Sequence, residues 1–82
     1  MAETIKLVAS EIALSTANTV SNASLVRVFN NTAGAVLITV ANTGGTIGTC
    51  TMGSNTIEHF IKQPADTIAS NVAVRAVSVA FT

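Results

Sequence analysis

Short runs in which apolar and polar residues alternate recur along the chain, broken by clusters of Asn, Gly, Ser and Thr. Alternation over four to eight residues is the period of a half-buried β-strand, and the β-branched Val, Ile and Thr that fill the runs favour a pleated surface. Residues 4–8 read as a first strand, with Ile5 and Leu7 on one face and Lys6 on the other, and residues 11–14 as its extension or an arm. Residues 15–23 are small and polar, the pattern of a long loop. Residues 24–30 form the second clear strand, with Leu25, Arg27 and Phe29 on one face and Val26 and Val28 on the other.

Asn30 to Gly34 read as a turn, because Asn and Gly tolerate positive φ at little cost. Residues 35–41 are the most apolar strand and place Val36, Ile38 and Val40 inward. Asn42-Thr43-Gly44-Gly45 suits a tight hairpin into residues 46–52. After a turn at residues 53–55, residues 56–62 alternate Ile57, His59 and Ile61 against Glu58, Phe60 and Lys62, which points the two isoleucines and His59 to the apolar side. Pro64 interrupts the pattern, since proline cannot continue a central ladder. Residues 67–70 are expected to form one short helical turn capped by Asp66. Residues 72–81 form the last and longest strand, apolar on both faces, hence central in a sheet or half-turned to a partner. No window sustains a helical apolar period. The expectation is all-β: one domain over residues 1–82, with 1–14 as a strand-forming arm, folded as a small antiparallel β-sandwich or barrel of about six to seven strands.

Composition then narrows the function classes. Of 82 residues only 10% are charged, four basic against four acidic, while 49% are hydrophobic. A nucleic-acid module needs a Lys/Arg footprint to neutralise phosphates, so no nucleic-acid partner is expected. No apolar run approaches the ~20 residues of a membrane helix, so no membrane partner is expected either. The first residues lack a basic start followed by an apolar centre, so synthesis in a cytoplasm is the expectation. A chain this small buries only about 60% of its unfolded surface, and one Cys allows no internal disulfide. Low charge with a mean hydropathy of +0.58 suits a protein whose surface is partly covered by a neighbour.

Candidate chemistry is sparse. One His and one Cys cannot supply the four ligands of a structural zinc site, so His59 reads as a hydrogen-bonded core or interface residue and Cys50 as a small packed hydrophobe. Ser70, His59 and Asp66 make a triad arithmetically available, but no nucleophile elbow accompanies them. Gly44 to Gly48 lacks the Lys-Ser/Thr ending of a phosphate loop and opens no helix. The sequons at Asn22 and Asn30 read as coincidences of an Asn- and Thr-rich chain. The four acidic residues are scattered and support neither a calcium loop nor a paired-carboxylate hydrolase. No enzyme activity, catalytic residue, metal or cofactor is expected.

Residues 24–82 nevertheless carry a recognisable pattern. Leu25-Val26-Arg27-Val28-Phe29-Asn30-Asn31 is followed by the Gly-rich hairpin, by Ile57-Glu58-His59-Phe60-Ile61-Lys62-Gln63-Pro64-Ala65-Asp66-Thr67-Ile68-Ala69, and by Val74-Arg75-Ala76-Val77-Ser78-Val79-Ala80-Phe81. The pattern resembles small virion structural proteins of tailed bacteriophages, especially phages of marine cyanobacteria. In those, a strand ending in Lys precedes a Pro-x-Asp-Thr-Ile/Leu-Ala turn and a terminal Val/Ala-rich strand. The resemblance implies a β-rich decoration or cement protein on the outer surface of the capsid, held by the major capsid protein, self-associating as a trimer and carrying no catalytic residue. A tail, neck or fibre component is the alternative within the virion. A carbohydrate-binding module is weaker, because the chain has no Trp or Tyr and only three Phe. The residues expected to make the contact are Val72, Val74, Val77, Val79 and Phe81 of the terminal strand.

Overall fold

The computed structural model describes residues 5–81, with the side chain of Phe81 outside that description. The expected start of the first strand at Thr4 also lies outside the described residues. Eight antiparallel strands and no helix make up the described chain: β1 (Ile5–Leu7), β2 (Ile12–Leu14), β3 (Leu25–Phe29), β4 (Val36–Asn42), β5 (Gly45–Met52), β6 (Ile57–Ile61), β7 (Thr67–Ser70) and β8 (Val74–Phe81). One sheet runs β1-β8-β3-β6, with β2 also paired to β8; the other runs β5-β4-β7. The chain is therefore all-β, two antiparallel sheets around one core, as the alternation requires.

The core is built where the two periods meet. Val26 and Val28 of β3, Val74 and Ala76 of β8, Leu14 of β2, Val36 and Ile38 of β4, Met52 of β5 and Ile68 of β7 interdigitate as one buried cluster. Val36 and Ile38 point inward as the alternation predicts, and Val40 is half-buried. The 42–45 hairpin also forms as expected: Gly45 takes a φ of 128° and Gly44 N donates to Asn42 Oδ1 at 2.8 Å.

The helical turn expected at residues 67–70 is a correction: these residues are β7, paired with β4 from Ile38–Ser70 to Ala41–Thr67. The free edge of β4 offers a ladder that a single helical turn cannot match, and Thr67 and Ile68 suit it. Asp66 caps the preceding turn instead, accepting from Gln63 N at 3.3 Å.

The loop at residues 15–23 does structural work at both ends. Asn18 and Ile68 exchange backbone hydrogen bonds, and Ser70 N donates to Ser15 O, so residues 15–18 cover the outer edge of β7. Val20, Ser21 and Asn22 then have φ of 53, 59 and 54°, one left-handed turn. That conformation costs about 1–2 kcal/mol per residue; burial of Val20 in the core offsets part of it. The crossing from β2 to β7 closes one side of the sandwich. The opposite side, where β5 and β6 end their sheets, has no such strap among the described residues.

Candidate interaction surface

β8 lies between β1 and β2 on one side and β3 on the other, which is the central position its two-sided apolar character allowed. Of the two alternatives the structure has the central one, and most of the residues expected to make the contact are buried within the chain itself. Val74 (1% exposed) belongs to the main core, while Val77 (2%) and Val79 (4%) belong to a second cluster with Leu25 and Ile5 on the other face of the sheet. Val72 is exposed, but it precedes the strand. Of the five residues expected to make the contact, only Val72 is both described and open to solvent. The reason is that β1 and β3 flank β8 and their side chains cover it.

Across that outer face runs a row of apolar side chains on four strands, exposed at its two ends and buried at Val79 and Leu25 between them. Leu7 stands opposite Val79 in the β1–β8 ladder, and Leu25 stands opposite Ile61 in the β3–β6 ladder. Val79 continues the β3–β8 register one step past Val26–Ser78, which sets it beside Leu25. The ends of the row are open, Leu7 at 71% and Ile61 at 82%. Between them Leu25, Val79, Ala80, Ser24 and Ile61 line a shallow depression. One row further on, Arg27 faces Val77, and Glu11 joins Arg27 (4.0 Å) to Arg75 (3.0 Å). The arginine stems shield Val77 while their heads stay hydrated. The ion triad is half-exposed, so it contributes little stability and serves to fix the polar border of the apolar row.

Cys50 is corrected from packed to exposed, and His59, expected in the core or at an interface, is exposed and so is no core residue. β6 presents Ile57, His59 and Ile61 outward, opposite Phe29, Arg27 and Leu25, and turns Phe60 and Lys62 toward the interior. Its polarity is the reverse of the one the two isoleucines suggest. Cys50 is opposite the core residue Ile38, so it faces the inter-sheet space, yet at the open side of the sandwich. There Ile38, Val40, Gly48, Cys50, Phe60 and Ile61 line a cleft of about 250 Å³. Burial, with the Glu58 carboxylate second, pushes the Cys50 thiol up from its usual value, the opposite of an activated nucleophile. Among the described residues no group of three or more His, Cys, Asp or Glu could hold a metal ion.

Two polar residues matter more than the sequence reading indicated. Lys62 is buried, and its Nζ donates to the carbonyls of Ala23 (2.6 Å), Pro64 (3.2 Å) and Gln63 (3.4 Å). It pins the end of the left-handed turn to the β6–β7 connection. Burial lowers its pKa below 10.5, with Asp66 opposing. The unfolded chain then holds this proton to higher pH than the folded one, so the Lys62 contribution rises with pH through the window from its lowered value up to 10.5. Cys50 acts oppositely, its stabilisation fading as pH climbs above 9.0. In a Cys50→Ser background, urea unfolding is therefore expected to show stability gained from Lys62 over that alkaline window, and Lys62→Met is expected to remove the gain. A slope unchanged by Lys62→Met would contradict the placement of the amine.

Asn30 is the second. It is fully buried, and its Nδ2 donates to Gly34 O (3.0 Å), Gly53 O (3.0 Å) and Met52 O (3.2 Å), while its Oδ1 accepts from Thr32 N (3.0 Å) and Thr32 Oγ1 (2.6 Å). Its backbone also pairs with Asn55 and Thr56. One amide thus fastens the β3–β4 turn to the β5–β6 turn, and the sequon at Asn30 is closed to modification in the folded chain.

The chain matches no protein-family model, no curated protein and no solved structure.

Proposed function

We propose that the protein is a virion structural protein of a tailed phage, a decoration or cement protein that docks on the major capsid protein through the outer face of its larger sheet. The observation that carries this reading is the apolar row Leu7–Val79–Leu25–Ile61, open at both ends and bordered by the Glu11–Arg27–Arg75 triad. Ile61 opens onto a shallow depression lined by Leu25 and Val79, with Leu7 exposed beyond it, and apolar surface of this kind is what a protein contact covers. The resemblance of residues 24–82 to small phage virion proteins supplies the partner. A chain of this size with 10% charged residues gains from a neighbour the buried area it lacks alone.

The mechanism is mass action. A protein that binds the assembled shell more tightly than separated subunits stabilises the shell by the difference in binding free energy, and many copies per shell let modest contacts accumulate. No titratable group takes part, so shell binding is expected to depend weakly on salt. Heads lacking the protein are expected to assemble but to rupture at lower temperature, and purified protein is expected to restore them. Depleted heads that resist heat like intact ones, in particles that fail to attach to cells, would transfer the protein to the tail or fibre.

A further inference from the structure

The open side of the sandwich carries a second surface, which meets the apolar row only at Ile61 and does not rest on the shell reading. β5 has eight residues, contains no charged side chain and no proline, and is exposed from Gly45 to Thr51. Its outer edge has no partner strand among the described residues, and neither does that of β6. Natural sheets blunt such edges with charges, prolines, coverings or very short strands. This chain does so elsewhere: β1 and β2 have three residues each, and residues 15–18 cover β7. On β5 the only such device is the register shift that leaves Ile47 unpaired between Thr46 and Gly48.

We propose that β5 is a pairing edge whose occupant is β5 of a second copy of this chain, joined antiparallel about a two-fold axis normal to the sheets. Three observations select a copy over a foreign strand. The free edges of β5 and β6 lie on the same side, where Phe60 and Ile61 share one cleft with Gly48 and Cys50. A two-fold normal to the sheets carries both layers across together, so the operation that pairs β5 with its copy also brings β6 to β6 of the copy. A single added strand would satisfy one edge and leave the other. Second, a self-pairing strand meets itself, and β5 has no charge to repel its own image; β6 brings one carboxylate, Glu58, and the whole chain is formally neutral. Third, the footprint suffices. Eight residues at ~3.4 Å and two layers ~10 Å apart with their side chains give roughly 500 Å² per copy, so that the pair reaches the ~1,000 Å² that a specific interface needs.

The symmetry also restricts the register. A two-fold normal to the sheet keeps each residue and its image on the same face, so the pairing centres on a residue opposite itself. For full overlap of β5 that residue is Gly48 or Thr49. Thr49 then lies directly opposite or diagonal to its image, about 5 to 8 Å between Cβ atoms.

Sedimentation of the full chain, alone and as Thr49→Lys and Thr49→Glu variants, tests this. Thr49 is exposed, so both variants are expected to keep the wild-type circular dichroism. The wild type is expected to be a dimer, in place of the trimer that the resemblance implies, each variant to dissociate about tenfold more readily, and an equimolar mixture of the two to regain the pairing as a heterodimer. Cys50 offers a second readout that needs no substitution: its image lies roughly 8 to 14 Å away in either register, within reach of a short bismaleimide, which is expected to yield covalent dimers. A wild-type monomer or trimer, variants that dimerise like wild type, or cross-linking absent at concentrations where dimer sediments, would overturn the proposal. Because the two surfaces share only Ile61, which neither Thr49 variant changes, a monomer that still binds heads would leave the shell reading standing, and a dimer that ignores heads would remove only that reading.

Discussion

Asn30→Asp is expected to leave the chain unfolded at neutral pH and room temperature. The substitution changes one atom's chemistry and almost no volume, but it replaces an NH2 group, whose two hydrogens are shared among the carbonyls of Gly34, Met52 and Gly53, with a carboxylate oxygen. Gly34 O and Gly53 O keep the hydroxyls of Thr32 and Thr56 as donors, but all three carbonyls now face a carboxylate oxygen, and a charge enters a site with no exposure. Breaking a buried polar network in this way costs about 3–5 kcal/mol, which is comparable to the whole stability expected of a domain below ~80 residues. The sign with pH follows from burial: the carboxyl is pushed up from ~3.9, so the variant is least damaged in acid and worst above the folded pKa. Far-UV circular dichroism across a pH series reads this directly. A variant as β-rich as wild type at neutral pH would show that the two turns do not depend on Asn30.

The second large effect comes from placing the same charge at two points of one row. Val79→Asp buries a carboxylate at a position only 4% exposed, between Leu7 and Leu25, and is expected to cost at least about 4 kcal/mol and abolish folding. Ile61→Asp sets the charge two strands away at a position 82% exposed, so folding is expected to survive with a change within about 0.5 kcal/mol. Shell binding by Ile61→Asp is expected to weaken at least tenfold, because the carboxylate must lose its water at the interface. Unfolding midpoints separate the two variants, and binding to depleted heads then tests the row itself. If Ile61→Asp folds and binds like wild type, the row is not the docking face.

The strand pattern was legible wherever two-residue periodicity met a clear turn: β3, β4, the Gly44–Gly45 hairpin and β8 all lie where alternation puts them. Faces were harder. β6 looks apolar at Ile57, His59 and Ile61, but pairing with β3 sets Leu25 opposite Ile61 and Arg27 opposite His59, so that side is the outer one. Edge position decides this, and alternation carries no information about whether a strand is at an edge. The same ambiguity misplaced Cys50 inside and left His59 open between core and interface. β8 was readable as two-sided, yet only the tertiary arrangement shows that Val74, Val77 and Val79 are covered by the chain itself, moving the candidate contact to Leu7 and Ile61. Residues 67–70 became a strand because β4 had an edge to offer. Asn30 and Lys62 left almost no trace, since a buried amide in a turn and a lysine after an apolar run look like ordinary surface residues until their carbonyl partners are in place.

The central claim is that this chain sits on the head and strengthens it. Particles separated into intact DNA-filled heads and detached tails, each probed for this chain by mass spectrometry, test it most directly. The account predicts the protein in the head fraction, in multiple copies, lost from wild-type levels when Ile61→Asp replaces the native chain. Recovery in the tail fraction, with none on the heads, would contradict it.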